Sequence, residues 1–292
     1  MPGVDMRLVA ARAALVGGEV VRAAGLRGFG SRDADEKGAG DYVTEVDRES
    51  ERAISAFLGS STGVPVVGEE GGGWDPAGDP AWPERYWLVD PLDGTTNFVH
   101  GFPAVGVSVA LIEGGRPVAG AVHAPFLGET WSAARGEGAW VAREGGDGGG
   151  RGMRLAVSER SVERAVVGTG FPFRRKEELL GRYLEAFRAG LERFEDLRRP
   201  GAAALDLAWV ASGVFDGFFE LGLAAWDVAA GGLLIEEAGG VVTDWAGGDG
   251  WLGGDILAGP PAVHAELLRI ARASAPASAS ASASASTPAS TD

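Results

Sequence analysis

The chain has 292 residues, 45% of them hydrophobic and 23% charged, with a formal net charge of −15 and no cysteine. This is the composition of an ordinary globular protein long enough to bury a large core. The acidic balance argues against nucleic-acid binding, which needs basic surfaces, and the missing cysteines exclude disulfides, thiolate metal sites and cysteine nucleophiles.

The N-terminal residues show no basic stretch followed by an apolar core, so no signal peptide is expected. No apolar run reaches the roughly 18 residues of a membrane span. A cytoplasmic protein without membrane contact is therefore the expectation. Val9, Ala13, Val16, Val20 and Ala23 recur at helical spacing and predict a helix over residues 5–26. The Gly-rich stretch 28–40 reads as a mobile loop, and 44–58 as a second helix with Val46, Ile54, Phe57 and Leu58 on one face. Short β-type runs follow at 64–67, 86–90, 104–112, 116–123 and 129–134. A flexible loop at 143–152 marks the expected boundary between a part spanning 1–150 and a part spanning 151–272. The second part alternates strands at 165–169, 194–198, 214–220, 241–243 and 256–259 with helices at 176–191, 202–212, 226–238 and 261–272. That alternation favours an α/β protein built in layers. Residues 273–292 are Ala/Ser repeats with too little apolar surface to order themselves, and read as a disordered tail.

The residues that carry chemistry begin with Trp87-Leu-Val-Asp90-Pro-Leu-Asp93-Gly94-Thr95-Thr-Asn-Phe98. An apolar strand ends in two carboxylates three positions apart, and a tight turn leads into what reads as a helix start. Carboxylates that close repel unless a cation lies between them, and a helix start offers N–H groups to an anion. Metal beside phosphate is the inference. Gly68-Glu69-Glu70 places an acid at another strand end, Asp41-x-x-Thr44-x-x-Asp47 lies at a helix start, Glu220 closes a strand and Asp227 heads a helix. The three histidines, His100, His123 and His264, are too scattered for a transition-metal cluster, and His100 reads as a structural hydrogen-bonder. A phosphatase that uses an aspartate nucleophile spaces its two acids by one residue, not two, and no Gly-x-x-x-x-Gly-Lys-Ser/Thr loop supports an NTPase.

Together with Trp226-Asp227-Val-Ala-Ala-Gly-Gly-Leu-Leu-Ile-Glu-Glu-Ala-Gly-Gly240, these elements resemble the inositol monophosphatase family of Mg2+-dependent, lithium-sensitive phosphatases, over roughly residues 5–270. The resemblance implies alternating layers of helices and sheets, αβαβα. It implies that Glu69, Asp90 and the Leu92 carbonyl hold one Mg2+, and that Asp90, Asp93 and Asp227 hold a second. Thr95, hydrogen-bonded to Asp47, and Glu69 would orient and deprotonate a metal-activated water. Gly94 and Thr95 would meet the phosphate, while Gly201, Ala203, Glu220 and Asp227 would contact the rest of the substrate. Gly201-Ala-Ala-Ala204 departs from the usual Gly-Ser/Thr-Ala-Ala by losing one hydroxyl. The implied activity is hydrolysis of a small polyol phosphate, inositol monophosphate foremost. The alternatives are histidinol phosphate, or a sugar phosphate or bisphosphate. A non-catalytic binding or regulatory relative is the reading from another class. Family members are commonly homodimers, so a homodimer is expected.

Overall fold

The computed structural model describes residues 5–27, 35–38, 41–71, 83–144 and 152–275. Its first layer is a helix pair, α1 (Met6–Arg27) and α2 (Glu45–Thr62). Between them β1 (Asp35–Gly38), within the stretch 28–40 that the sequence reads as loop, pairs antiparallel with β2 (Asp41–Val43). Residues 28–34 and 39–40 of that expected loop lie outside the described residues. At the start of α2 the Thr44 hydroxyl accepts the Val46 N–H, and Asp47 in turn accepts the Thr44 N–H at 2.8 Å. This reciprocal capping satisfies donors that a helix start leaves open.

The next layer is a seven-stranded sheet in simple sequence order. Its strands are β3 (Val66–Gly68), β4 (Arg85–Asp93), β5 (Gly106–Glu113), β6 (Arg116–Ala124), β7 (Glu129–Ala134), β8 (Gly138–Arg143) and β9 (Met153–Arg154). Only β3 and β4 run parallel; the other neighbours are antiparallel. The short α3 (Thr95–His100) separates β4 from β5. Every residue of β4 after Arg85 is buried. A strand covered on both faces reads as a continuous apolar run rather than an alternation, which is how Tyr86-Trp-Leu-Val appears. β8 and β9 escape the sequence reading because the core face of β8 is only Ala139 and Val141, a weak strand signal.

The second sheet runs in the order β11-β10-β12-β14-β13. It comprises β10 (Val166–Thr169), β11 (Asp196–Arg198), β12 (Gly217–Glu220), β13 (Val241–Thr243) and β14 (Ile256–Gly259). Of the helices α4 (Lys176–Arg193), α5 (Ala203–Ala211), α6 (Ala225–Glu237) and α7 (Pro261–Ala273), α5 and α6 pack against both sheets, while α4 and α7 cover the outer face of the second. The order is thus helix, sheet, helix, sheet, helix. α6 is buried almost all round, from Val228 to Ile235, because a sheet lies on either side of it. One hydrophobic cluster joins Val122 and Trp131 of the first sheet to Phe218 and Ile256 of the second through Leu205 and Leu233.

Some boundaries shift. The strand read at 214–220 begins at Gly217, because the Val214 and Phe215 N–H groups both return to the Trp209 carbonyl and close a turn after α5. Within that turn the buried Asp216 accepts the Val166 N–H and Arg160, both at 2.7 Å. Residues 145–151 of the expected linker and 276–292 of the expected tail lie outside the described residues. Among the described residues no helix is long and apolar enough to cross a membrane.

Candidate active site

β4 delivers its two aspartates through a local irregularity. Asp90 pairs with Ser108 and Asp93 with Gly106, so three steps on β4 match two on β5. In a regular strand, side chains three apart point to opposite faces; one bulged residue resets the alternation, so Asp90 and Asp93 can share a side. The Asp90 carboxylate accepts the Leu92 N–H at 3.0 Å, which tightens the turn. Asp227 joins them from the first turn of α6. Asp90, Asp93 and Asp227 each bring a carboxylate oxygen within 4.8 Å of the others. Glu69, directly after β3, lines the same cleft outside that three-acid group, and is ion-paired with Arg174 at 3.6 Å.

Thr95 opens α3 after Gly94, whose φ of 88° is a left-handed conformation. A Cβ there would lie 2.9 Å from the Ala104 carbonyl, so only glycine turns the chain at this point. Thr95 Oγ1 stands 3.1 Å from both Asp47 Oδ1 and the Leu92 carbonyl. Burial raises the Asp47 carboxyl, opposed by the hydrogen bonds from Thr44 and Thr95. The far wall comes from the second part of the chain. Ala202, at the start of α5, makes no side-chain cap. Asp93 supplies one from a distance, accepting the Ala203 N–H at 3.2 Å and the Ala204 N–H at 2.7 Å. Gly201, Ala203 and the buried Glu220 line the same cleft, which has a volume of about 580 Å³. Every residue the sequence nominates therefore borders it except Asp47, which stands directly behind Thr95.

The electrostatics follow from crowding. Burial and the neighbouring Asp227 push Asp93 up to about 7, against the N–H groups of Ala204, Leu205 and Ala203. Asp90 is raised by burial and by the charges of Glu69, Asp93 and Asp227, and Glu220 by burial and Asp227. Such a set needs positive charge. Part of it is Arg174, whose guanidinium donates to Asp227 at 2.6 Å as well as pairing with Glu69. The clustered acids offer only oxygen donors and no histidine lines the cleft, a donor set that fits a hard divalent cation such as Mg2+. Arg174 itself is missed by the sequence reading. So is Asn97, whose amide donates to the carbonyls of Ala104 at 2.8 Å and Pro200 at 2.9 Å and fastens α3 to the Gly201 loop. His100 is exposed, and the buried hydrogen-bonding histidines are His123 and His264.

The profile of the inositol monophosphatase family matches residues 5–277. The chain belongs to the inositol monophosphatase family. Nus factor SuhB of Pseudomonas aeruginosa is 44% identical over 246 residues, covering 83% of this chain and 87% of the relative. The fructose-1,6-bisphosphatase/inositol-1-monophosphatase of Aquifex aeolicus is 38% identical over 269 residues, covering 90% and 94%. The crystal structure of the extragenic suppressor protein SuhB from Bartonella henselae superposes with a TM-score of 0.79 at 36% identity, over 90% of this chain and 97% of that one. The five-layered architecture is thus shared within the inositol monophosphatase family, whose members carry both phosphatase and SuhB names.

Proposed function

We propose that the protein is a Mg2+-dependent phosphomonoesterase acting on a small polyol phosphate, inositol monophosphate foremost. The observation that carries this reading is the meeting in one cleft of the Asp90–Asp93–Asp227 cluster, the Thr95–Asp47 pair and Glu220. Glu69, Asp90 and the Leu92 carbonyl would hold one cation, and Asp90, Asp93 and Asp227 a second. When bound, Mg2+ supplies Lewis acidity to the phosphate oxygens and a water acidic enough to react near neutral pH.

The chain's own groups do the rest. The single hydroxyl proton of Thr95 has two acceptors, Asp47 and the Leu92 carbonyl, so Oγ1 keeps a lone pair for a proton of the attacking water. Asp47, made more basic by burial, stands behind it to take that proton on, and Glu69 borders the same space. Gly94 and Thr95 present backbone N–H groups to the phosphate. Glu220, buried in the cleft wall, accepts hydroxyls of a polyol, while Gly201 and Ala203 leave room for its ring. No protein nucleophile is required, since water attacks phosphorus and the alkoxide leaves.

A second substrate reading, a sugar bisphosphate, is favoured by Arg174 and Arg199 in the same cleft and by the name of the A. aeolicus relative. A role as a Nus factor, the name of the P. aeruginosa relative, is the reading from another class. Phosphate release with Mg2+ from myo-inositol 1-phosphate, fructose 1,6-bisphosphate, histidinol phosphate and adenosine 3′,5′-bisphosphate, with and without lithium, tests them together. Lithium-sensitive turnover of inositol phosphate well above the others is expected. Turnover of the bisphosphate above all others supports the second reading, and no turnover of any ester overturns the enzymatic one.

A further inference from the structure

On α2, Asp47, Ser50 and Glu51 stand at i, i+3 and i+4 and so share one helical face. Each holds a different segment of the acid cleft. Asp47 accepts the Thr95 hydroxyl. Ser50, fully buried, donates to the Pro91 carbonyl at 2.9 Å, inside the β4 bulge. The peptide plane that begins with that carbonyl ends at the Leu92 N–H, which the Asp90 carboxylate accepts at 3.0 Å. A planar, rigid unit therefore links Ser50 to the orientation of Asp90.

Glu51 does the equivalent for Glu69. Its Oε2 accepts the Glu70 N–H at 2.8 Å, while the Glu69 N–H is held by the Val89 carbonyl at 3.2 Å. The peptide planes on both sides of Glu69 are thereby fixed. The carboxylate of Glu51 lies so close to this strand end that a Cβ on Gly68 would meet Oε2 at 2.2 Å, and one on Gly71 would meet Oε1 at 3.1 Å. α1 backs the same turn tightly, since a Cβ on Gly17 would stand 2.8 Å from Ser50 Oγ.

We propose that Ser50 and Glu51 are positioning residues that set the cation affinity of the cleft by fixing the peptide planes beside Asp90 and Glu69. The inference rests on the reading of the cleft as a divalent-cation site. Its test is calorimetric titration of the full-length, chelator-treated protein with Mn2+ and with Mg2+, alongside thermal melting of each cation-free variant. Glu51→Ala and Ser50→Ala are each expected to weaken cation binding by about tenfold or more, the range for residues that orient metal ligands. Glu51→Gln keeps a carbonyl acceptor for the Glu70 N–H and is expected to bind nearly as the unchanged protein does. Where activity is measurable, the Mg2+ requirement should rise while KM at saturating Mg2+ stays put. If Glu51→Ala does not fold, Glu51→Asp, which withdraws the carboxylate by one methylene, carries the same expectation. Folded Ala variants that bind Mn2+ as tightly as the unchanged protein overturn the proposal alone. An unchanged protein that binds no cation overturns the cation-site reading, and the proposal with it.

Discussion

The Asp93 carboxylate faces two demands at once, as a proposed cation ligand and as the cap of α5, where Ala202 leaves two N–H groups to be met from outside. Asp93→Asn keeps one carbonyl for the cap but removes the charge. Turnover should fall by at least about 100-fold, equivalent to ~2.7 kcal/mol of transition-state stabilisation, in a chain whose circular dichroism is unchanged. Near-normal activity would contradict a two-cation assignment. Arg174 presents the opposite case: its side chain is 36% exposed and its charge competes for Glu69 and Asp227. Arg174→Gln is expected to tighten Mg2+ binding by up to about fivefold, the scale of a partly solvated ion pair, and weaker binding in calorimetry would refute that competition.

Among the elements, β4 with its following turn determines most of the site. Gly94→Ala would force a left-handed alanine against the Ala104 carbonyl, and a loss of about 1–3 kcal/mol in denaturant unfolding is expected, with no loss counting against this account of the turn. This stretch also shows what the sequence can and cannot disclose. The apolar run of β4, the Asp90–Asp93 spacing and the helical periodicity of α2 are local patterns, and they are legible as such. The bulge is not, because it exists only as a mismatch between β4 and β5, whose pairing no single segment encodes. The Asn97–Pro200 and Arg174–Asp227 contacts are likewise invisible, since their partners lie 103 and 53 positions apart in the chain. β1 falls in the Gly-rich stretch 28–40, which reads as loop because glycine weakens any strand signal.

At the scale of the whole molecule the buried acids set the response to pH. Asp93 at about 7 and Asp90, Asp206 and Glu220, all raised by burial, bind protons more tightly when folded than when unfolded. Unfolded carboxylates titrate near ~4, so between about pH 4 and 7 the native state carries the extra protons and loses stability as pH rises. The acids lowered by arginine partners, such as Glu266 and Asp196, act in the opposite sense, but the arginines Arg269 and Arg198 that pair with them are exposed, so solvent screens those pairs. The cation-free protein should therefore melt higher at pH 5 than at pH 8. Saturating Mg2+ should shrink that gap, because the cation replaces the protons. A cation-free protein more stable at pH 8 would refute the sign. The cleft takes its lining from the turn after β3, from β4 and α3, from the approaches to α4 and α5, and from β12 and α6, so no single element holds all of its proposed ligands. Integrity is thereby a precondition of the proposed activity: in a half-folded or broken copy the acids of β4 and α6 stay apart, and such a copy would be silent rather than indiscriminate toward other phosphate esters.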